Sequence, residues 1–274
     1  MIIKTLAENT AVSEAFGSEH GLSLYIETAK HHLLFDMGAS ALFAENAAKM
    51  GVDLSTVDIA VLSHDHYDHG GGLKKFLELN QKAKIHVSAQ AFGKRYAKSP
   101  DGKYKYIGID ESLLSHDRFV FVSGYMRINE EMELFSGVRP VKFAPSGNKD
   151  LFMMRGDSMV PDDFAHEQNL IIREGGKVVL IAGCAHNGIV NIIEHMQTAG
   201  YGSPTHVIGG FHLYNRSADR DEDPELVGRI GNRLNETDSQ YYTCHCTGIG
   251  SYNILKTIMG DRIGYLASGS QILI

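Results

Sequence analysis

The sequence predicts a layered α/β fold, and three observations predict it. Short apolar runs are followed by amphipathic runs of helical period, as where residues 58–62 lead on to 73–79. Histidines recur where strands should end, at 64–69, 186, 212 and 245, and strand ends at one edge of a layered α/β fold come together in space. Finally, 274 residues with 43% hydrophobic and 22% charged content describe a globular chain able to bury a substantial core. We read residues 1–274 as a single domain, with an insertion at about 89–160 over the active site.

The elements follow in order. Residues 2–6, 22–28 and 31–36 read as strands joined by short polar turns, an antiparallel start. Residues 40–49 read as a helix, with Ser40 as its cap and Leu42, Phe43 and Ala47 on one face. His20, in the loop before the second strand, reads as a pocket-lining residue or, by preference, as an exposed loop histidine. A buried strand then ends in Ser63-His64-Asp65-His66-Tyr67-Asp68-His69, ahead of three glycines and a helix. Lys84–Ser88 is a further strand.

Residues 89–160 fit the periodic scheme poorly and read as irregular chain with some strands. Their interleaved Lys, Arg and Tyr (Gly93-Lys94-Arg95-Tyr96, Lys103-Tyr104-Lys105-Tyr106) suit an anionic, aromatic-bearing substrate, and suit a solvated basic loop equally well. Beyond them, residues 169–174 and 177–182 form a hairpin across Gly175-Gly176. The second of these strands ends at Cys184-Ala185-His186, before a helix from Ile189. Residues 205–213 repeat the arrangement and carry His212. A helix over 224–237 starts with Pro224 near its first turn, where proline is favoured. Residues 240–243 end at Cys244-His245-Cys246, a helix covers 249–259, and residues 271–274 close the chain as a strand.

The chemistry of the central stretch follows from its spacing. Residues two apart in extended chain point the same way, so His64 and His66 can grip one metal. As the chain turns into the helix, Asp68 and His69 face a second metal nearby. Imidazole and carboxylate donors suit zinc, and also manganese or iron, so one or two divalent ions are expected. Cys184, Cys244 and Cys246 are too few, and odd in number, for a disulfide framework. A reducing cytoplasm is the simplest setting. Cys244 and Cys246, flanking His245 in an assumed strand, should point away from it and serve as small buried residues. A net charge of −7 argues against a general nucleic-acid surface. Nor does any stretch approach the ~20 apolar residues of a membrane span.

His64, His66, Asp68 and His69 resemble the His-Xaa-His-Xaa-Asp-His signature of the metallo-β-lactamase superfamily. That resemblance implies a four-layer αββα sandwich, each half of the chain supplying one sheet. It also implies that His64, His66 and His186 hold one metal and that Asp68, His69 and His245 hold the other. Asp36, in Leu34-Phe35-Asp36-Met37-Gly38, would hold a ligand histidine in place. Most dinuclear members carry a bridging carboxylate where this chain has His212; a neutral imidazole cannot bridge two metals in that way. His212 is therefore expected to bind one metal only or to contact substrate. Glu19-His20-Gly21, Gly183 to Ile192, Gly209-Gly210-Phe211-His212-Leu213 and Cys244 to Gly248 narrow the resemblance to one branch. Its members are called 7,8-dihydropterin-6-methyl-4-(β-D-ribofuranosyl)aminobenzene-5′-phosphate synthases.

The leading expectation is a metal-dependent hydrolase acting on a phosphate ester or a similar anionic small molecule through a metal-activated water. Asp68 would hold metal and orient the nucleophile. His212, Tyr67 or an insertion residue would protonate the leaving group. The alternative within enzymes is a transferase joining a dihydropterin diphosphate to an aminobenzene ribosyl phosphate. A non-catalytic metal-containing binding protein is the alternative outside them, since fold alone does not imply catalysis.

Overall fold

Two seven-stranded sheets dominate the computed structural model, which describes residues 1–274. The chain divides into two compact units. The first comprises Met1–Gly93, Ile107–Ser123 and Leu266–Ile274; the second comprises Lys94–Tyr106 and Gly124–Tyr265.

In the first unit the strand order is Gln271–Leu273, Ile2–Ala7, Ser23–Glu27, His32–Phe35, Ile59–Val61, Lys84–Ser88 and Phe119–Val122. The first three pairings are antiparallel and the last three parallel. The parallel strands Ile59–Val61 and Lys84–Ser88 are buried almost throughout, as expected of strands covered on both faces. Helices Leu42–Lys49 and Leu73–Leu79 bury Phe43, Ala47, Leu73 and Phe76 in the same core as Leu6, Leu34, Ala60 and Ile85. Ser40 does its capping from one residue further out than expected. Its hydroxyl accepts from the Leu42 N–H at 3.1 Å, while Ala41 occupies the cap position without a side-chain bond.

The second unit has the order Ile263–Tyr265, Gln240–Thr243, His206–Gly209, Lys177–Ile181, Gln168–Glu174, Met132–Ser136 and Tyr125–Arg127. Here too the parallel pairings lie at one side of the sheet and the antiparallel ones at the other. Gly175 and Gly176 take φ of 56° and 76°, the two positive values a type I′ hairpin demands. Helices Ile189–Thr198, Pro224–Asn235 and Ile249–Met259 cover this core through Ile192, Ile193, Ile230, Leu234 and Leu255.

Residues 89–160 are shared out among these elements. Phe119–Val122 is an edge strand of the first sheet, and Tyr125–Arg127 and Met132–Ser136 belong to the second. Arg95–Lys98 and Tyr104–Tyr106 join Leu151–Arg155 and Ser158–Pro161 in a separate four-stranded antiparallel sheet. Sequence periodicity did not find these because the strands are short and pair across up to about sixty residues of chain.

Candidate functional site

In the first unit the donors sit on one turn. The strand ends at Val61, and a single helical turn, Tyr67–Gly70, follows with His66 extended at its start. His64, His66, Asp68 and His69 are all buried. The rings of His64 and His66 lie 4.6 Å apart, and those of His64 and His69 4.1 Å apart. The glycines that follow allow the turn to sit this close to its neighbours. A Cβ on Gly71 would lie 2.2 Å from the Ala39 carbonyl oxygen, and one on Gly72 2.2 Å from that of Met37.

Asp36 organises this turn, as the resemblance implied. Its carboxylate accepts from the Ser63 N–H at 2.7 Å, the Ser63 hydroxyl at 2.7 Å and His69 Nδ1 at 2.6 Å. Ser63 Oγ in turn lies 2.8 Å from His64 Nδ1. A carboxylate only accepts, so the Ser63 hydrogen points to Asp36 and His64 Nδ1 must donate to Ser63. His69 Nδ1 must donate as well. Both rings therefore carry their proton on Nδ1, which makes Nε2 the ligand nitrogen.

Two residues beside these donors have partners of their own. His20 is not an exposed loop histidine: its Nε2 lies 3.0 Å from Asp68 Oδ2 and its side chain is 17% exposed. Its place before a strand allowed the pocket-lining alternative but did not reveal a partner forty-eight residues on. Asp65 turns away from the donors and accepts from the Gly93 N–H at 2.9 Å.

In the second unit the donors come from three separate strand ends. His186, His245, Cys184 and Cys246 are buried and His212 is partly so. The His186 and His212 rings lie 4.1 Å apart. Donor atoms of Cys184, His186 and His212 lie within 4.8 Å of one another, as do those of Cys184, His245 and Cys246. The expected alternation of Cys244, His245 and Cys246 along a strand does not occur. The strand stops at Thr243, His245 has φ 52°, and His245–Thr247 is a 3₁₀ turn, so Cys246 swings to the side of His245.

Two side chains hold these loops that sequence reasoning missed. Asn148 donates to the His186 carbonyl at 2.8 Å, and its amide oxygen lies 3.1 Å from His186 Nδ1. The amide's orientation makes His186 Nδ1 the donor and Nε2 the ligand nitrogen. Phe164 stacks on the ring with centroids 4.5 Å apart. Glu167, fully buried, accepts from the His186 N–H at 2.6 Å and the Asn187 N–H at 3.1 Å. Burial pushes its carboxyl above the ordinary value, against hydrogen bonds that act to lower it. Burial also acts to raise the Cys246 thiol, but contacts with Cys184 and the His212 and His245 imidazoles outweigh it and hold it well below its usual value.

His212 N–H donates to Cys246 Sγ at 3.3 Å, and its Nδ1 is buried with no hydrogen-bond partner. A buried imidazole nitrogen without a partner is costly in a chain without a cation, and natural for a ligand. His212 also lines a cleft with Ser146, Gly147, Asn215, Arg220, Asp221 and Glu222. Three of the carboxylates between His186 and His245 have partners of their own. Glu194 pairs with Lys142 and Arg233, Asp219 accepts from the Tyr214 hydroxyl, and Glu222 accepts from Ser146.

Backbone strain marks the same places. Eight non-glycine residues have positive φ, and Asp36, Ala185, His212 and His245 are four of them. Each such residue costs about 1–3 kcal/mol, and such strain clusters at functional sites. In both units the imidazole, carboxylate and thiol donors, with Nδ1 committed to protein partners where those are seen, fit divalent metal ions.

The basic, tyrosine-rich stretch is ordered into strands. Tyr96 packs on Tyr106 at 5.6 Å, Tyr104 on Phe152 at 5.2 Å, and Lys98 lies 5.8 Å over the Tyr104 ring. Arg95 turns inward to Asp162 at 3.7 Å.

Comparison with known proteins decides the family. The family model described as "Metallo-beta-lactamase superfamily" matches residues 17–195. The chain belongs to the metallo-β-lactamase superfamily. Its fold is the αββα class anticipated from the donor pattern, as a solved relative of that superfamily also shows. That structure, described as a metal-dependent hydrolase of the beta-lactamase superfamily, is 29% identical, with a TM-score of 0.84 over 100% of this chain and 99% of the other. An uncharacterized protein of Methanocaldococcus jannaschii is 29% identical over 97% of this chain and 98% of its own length. The 7,8-dihydropterin-6-methyl-4-(β-D-ribofuranosyl)-aminobenzene-5′-phosphate synthase of the same organism is 27% identical over 98% of this chain and 95% of its own length. No helix of the chain is long and apolar enough to cross a membrane.

Proposed function

We propose that this superfamily member is a metal-dependent transferase. It joins a dihydropterin diphosphate to an aminobenzene ribosyl phosphate or closely related acceptor. The observation that carries this reading is the end-to-end likeness to the M. jannaschii synthase. It moves the emphasis from the hydrolase expected first to the transferase kept beside it.

The metal ligands we propose are His64, His66, Asp68, His69, His186, His212 and His245. One or two divalent ions are expected, zinc first and manganese or iron next. Bound metal would supply positive charge to the departing diphosphate or, in a hydrolase, lower the pKa of water. The chain's own residues do the rest. Asp36 through Ser63 and Asn148 fix which nitrogens face outward, so the donors need no reorganisation. Arg220, which lines the His212 cleft, offers a cation to an anionic substrate. His212 and Asp68 are the proposed catalytic groups. His20 steers the Asp68 carboxylate through Oδ2. Three cysteines in no disulfide suit the reducing cytoplasm in which such a pathway would run.

Hydrolysis is the second reading, favoured by the printed description of the solved relative as a metal-dependent hydrolase. One assay separates the two. The zinc-loaded protein is given the pterin diphosphate with and without the aryl amine, and products are resolved by mass spectrometry. Condensed product with diphosphate release, dependent on the amine, is expected. Diphosphate release that ignores the amine, or turnover of simple phosphoesters alone, would replace the transferase with the hydrolase. Inertness toward both classes would favour a binding protein.

A further inference from the structure

We infer that Cys184, His245 and Cys246 form a thiolate–imidazole metal site within the second unit. The inference goes beyond the reaction proposed above and does not depend on which reaction runs, although it shares His245 with that ligand set.

Three observations carry it. The sulfur and nitrogen donors of the three residues lie within 4.8 Å of one another, and all three residues are buried, at 3%, 0% and 3% exposure. That spacing suits one cation touching all three, since metal–sulfur and metal–nitrogen bonds run near 2.0–2.3 Å. Next, the backbone is bent to bring them together. His245 at φ 52° and the 3₁₀ turn after it put Cys246 beside the histidine that strand alternation would set it against. Third, close packing on Gly210 fixes the Cys246 sulfur in place. A Cβ on Gly210 would lie 2.4 Å from that sulfur, so this position excludes every side chain.

Sulfur donors change which metal is held. Thiolates favour zinc, cobalt and cadmium over magnesium or manganese. Each thiol releases its proton to solvent on ligation, and no oxidant is involved. Cys184 also belongs to the Cys184–His186–His212 cluster, so its sulfur can answer to either set of imidazoles.

The test uses cobalt as the probe. The full chain is stripped of metal and titrated with Co(II), with bound cobalt counted by elemental analysis. The expected result is a near-ultraviolet thiolate-to-cobalt absorption, kept in Cys244→Ala and lost in Cys184→Ala and Cys246→Ala. Bound cobalt with no such absorption in the unmodified protein overturns the inference, and needs no variant to fold. An absorption that survives both substitutions in folded protein overturns it too, as does failure to bind cobalt at all. Failure of the condensation assay with the absorption intact would count against the proposed reaction alone.

Discussion

The two donor regions solve one problem in opposite ways. In the first unit four donors fall within six consecutive residues, and one carboxylate, Asp36, sets the ring orientations by direct and relayed hydrogen bonds. In the second unit the donors are spread over more than sixty residues, on three strand ends. Each loop there needs its own support: Asn148 and Glu167 for His186, and left-handed backbone at Ala185, His212 and His245. A contiguous motif concentrates its dependence on one residue, whereas a dispersed one divides it. Damage should therefore be large and singular in the first unit, and smaller and separable in the second.

Asp36→Ala should be the most damaging change. It leaves the Ser63 N–H, the Ser63 hydroxyl and His69 Nδ1 without their acceptor in a fully buried place, at roughly 1–3 kcal/mol for each group left unsatisfied. Metal affinity should fall by about 10–100-fold or more. Chemical denaturation and competition with a chelator measure the two effects. A variant with unchanged metal affinity would break the idea that one carboxylate governs the first set.

Asn148→Ala should do less. His186 loses its Nδ1 partner but keeps the Phe164 stack and the Glu167 hold on its backbone. Metal affinity should drop by roughly tenfold, with little loss of thermal stability because the amide is only half-buried. An effect as large as that of Asp36→Ala would erase the contrast between the two regions.

The smallest effect concerns pH and the frame rather than the donors. His86 lies on Lys84–Ser88, and burial pulls its pKa below the usual value, while its bond to the Ala60 carbonyl acts to raise it. The unfolded chain takes up a proton near pH 6.5 that the folded chain does not. Its contribution is thus fully present above that pH and is lost as the pH falls toward and through the folded value. His86→Leu should flatten the decline in melting temperature on the acid side. Identical acid-side curves for the two proteins would show that His86 does not set it.

The comparison also explains what the sequence could and could not disclose. His64, His66, Asp68 and His69 were legible because their spacing alone specifies a turn of ligands after a strand. Asp36 was legible through its place in a family pattern. His186, His212 and His245 were legible as strand ends, a one-dimensional property. Their supports were not. Asn148 and Glu167 act across 38 and 19 residues of chain, and no local pattern announces a side chain that reaches so far. Cys246 was misread because a strand was extended past Thr243, where a non-glycine residue with positive φ ends the alternation. Residues 89–160 were unreadable as elements for a related reason: their strands owe their existence to distant partners, not to local periodicity.

The most direct measurement is divalent metal per chain, by elemental analysis of protein purified without added metal, for the unmodified chain, His69→Ala and His186→Ala. The account predicts one or two ions in the unmodified protein, zinc foremost, and a loss of metal in each variant while circular dichroism shows both folded. An unmodified protein that holds no metal under any loading condition, or variants that hold as much as the parent, would contradict it.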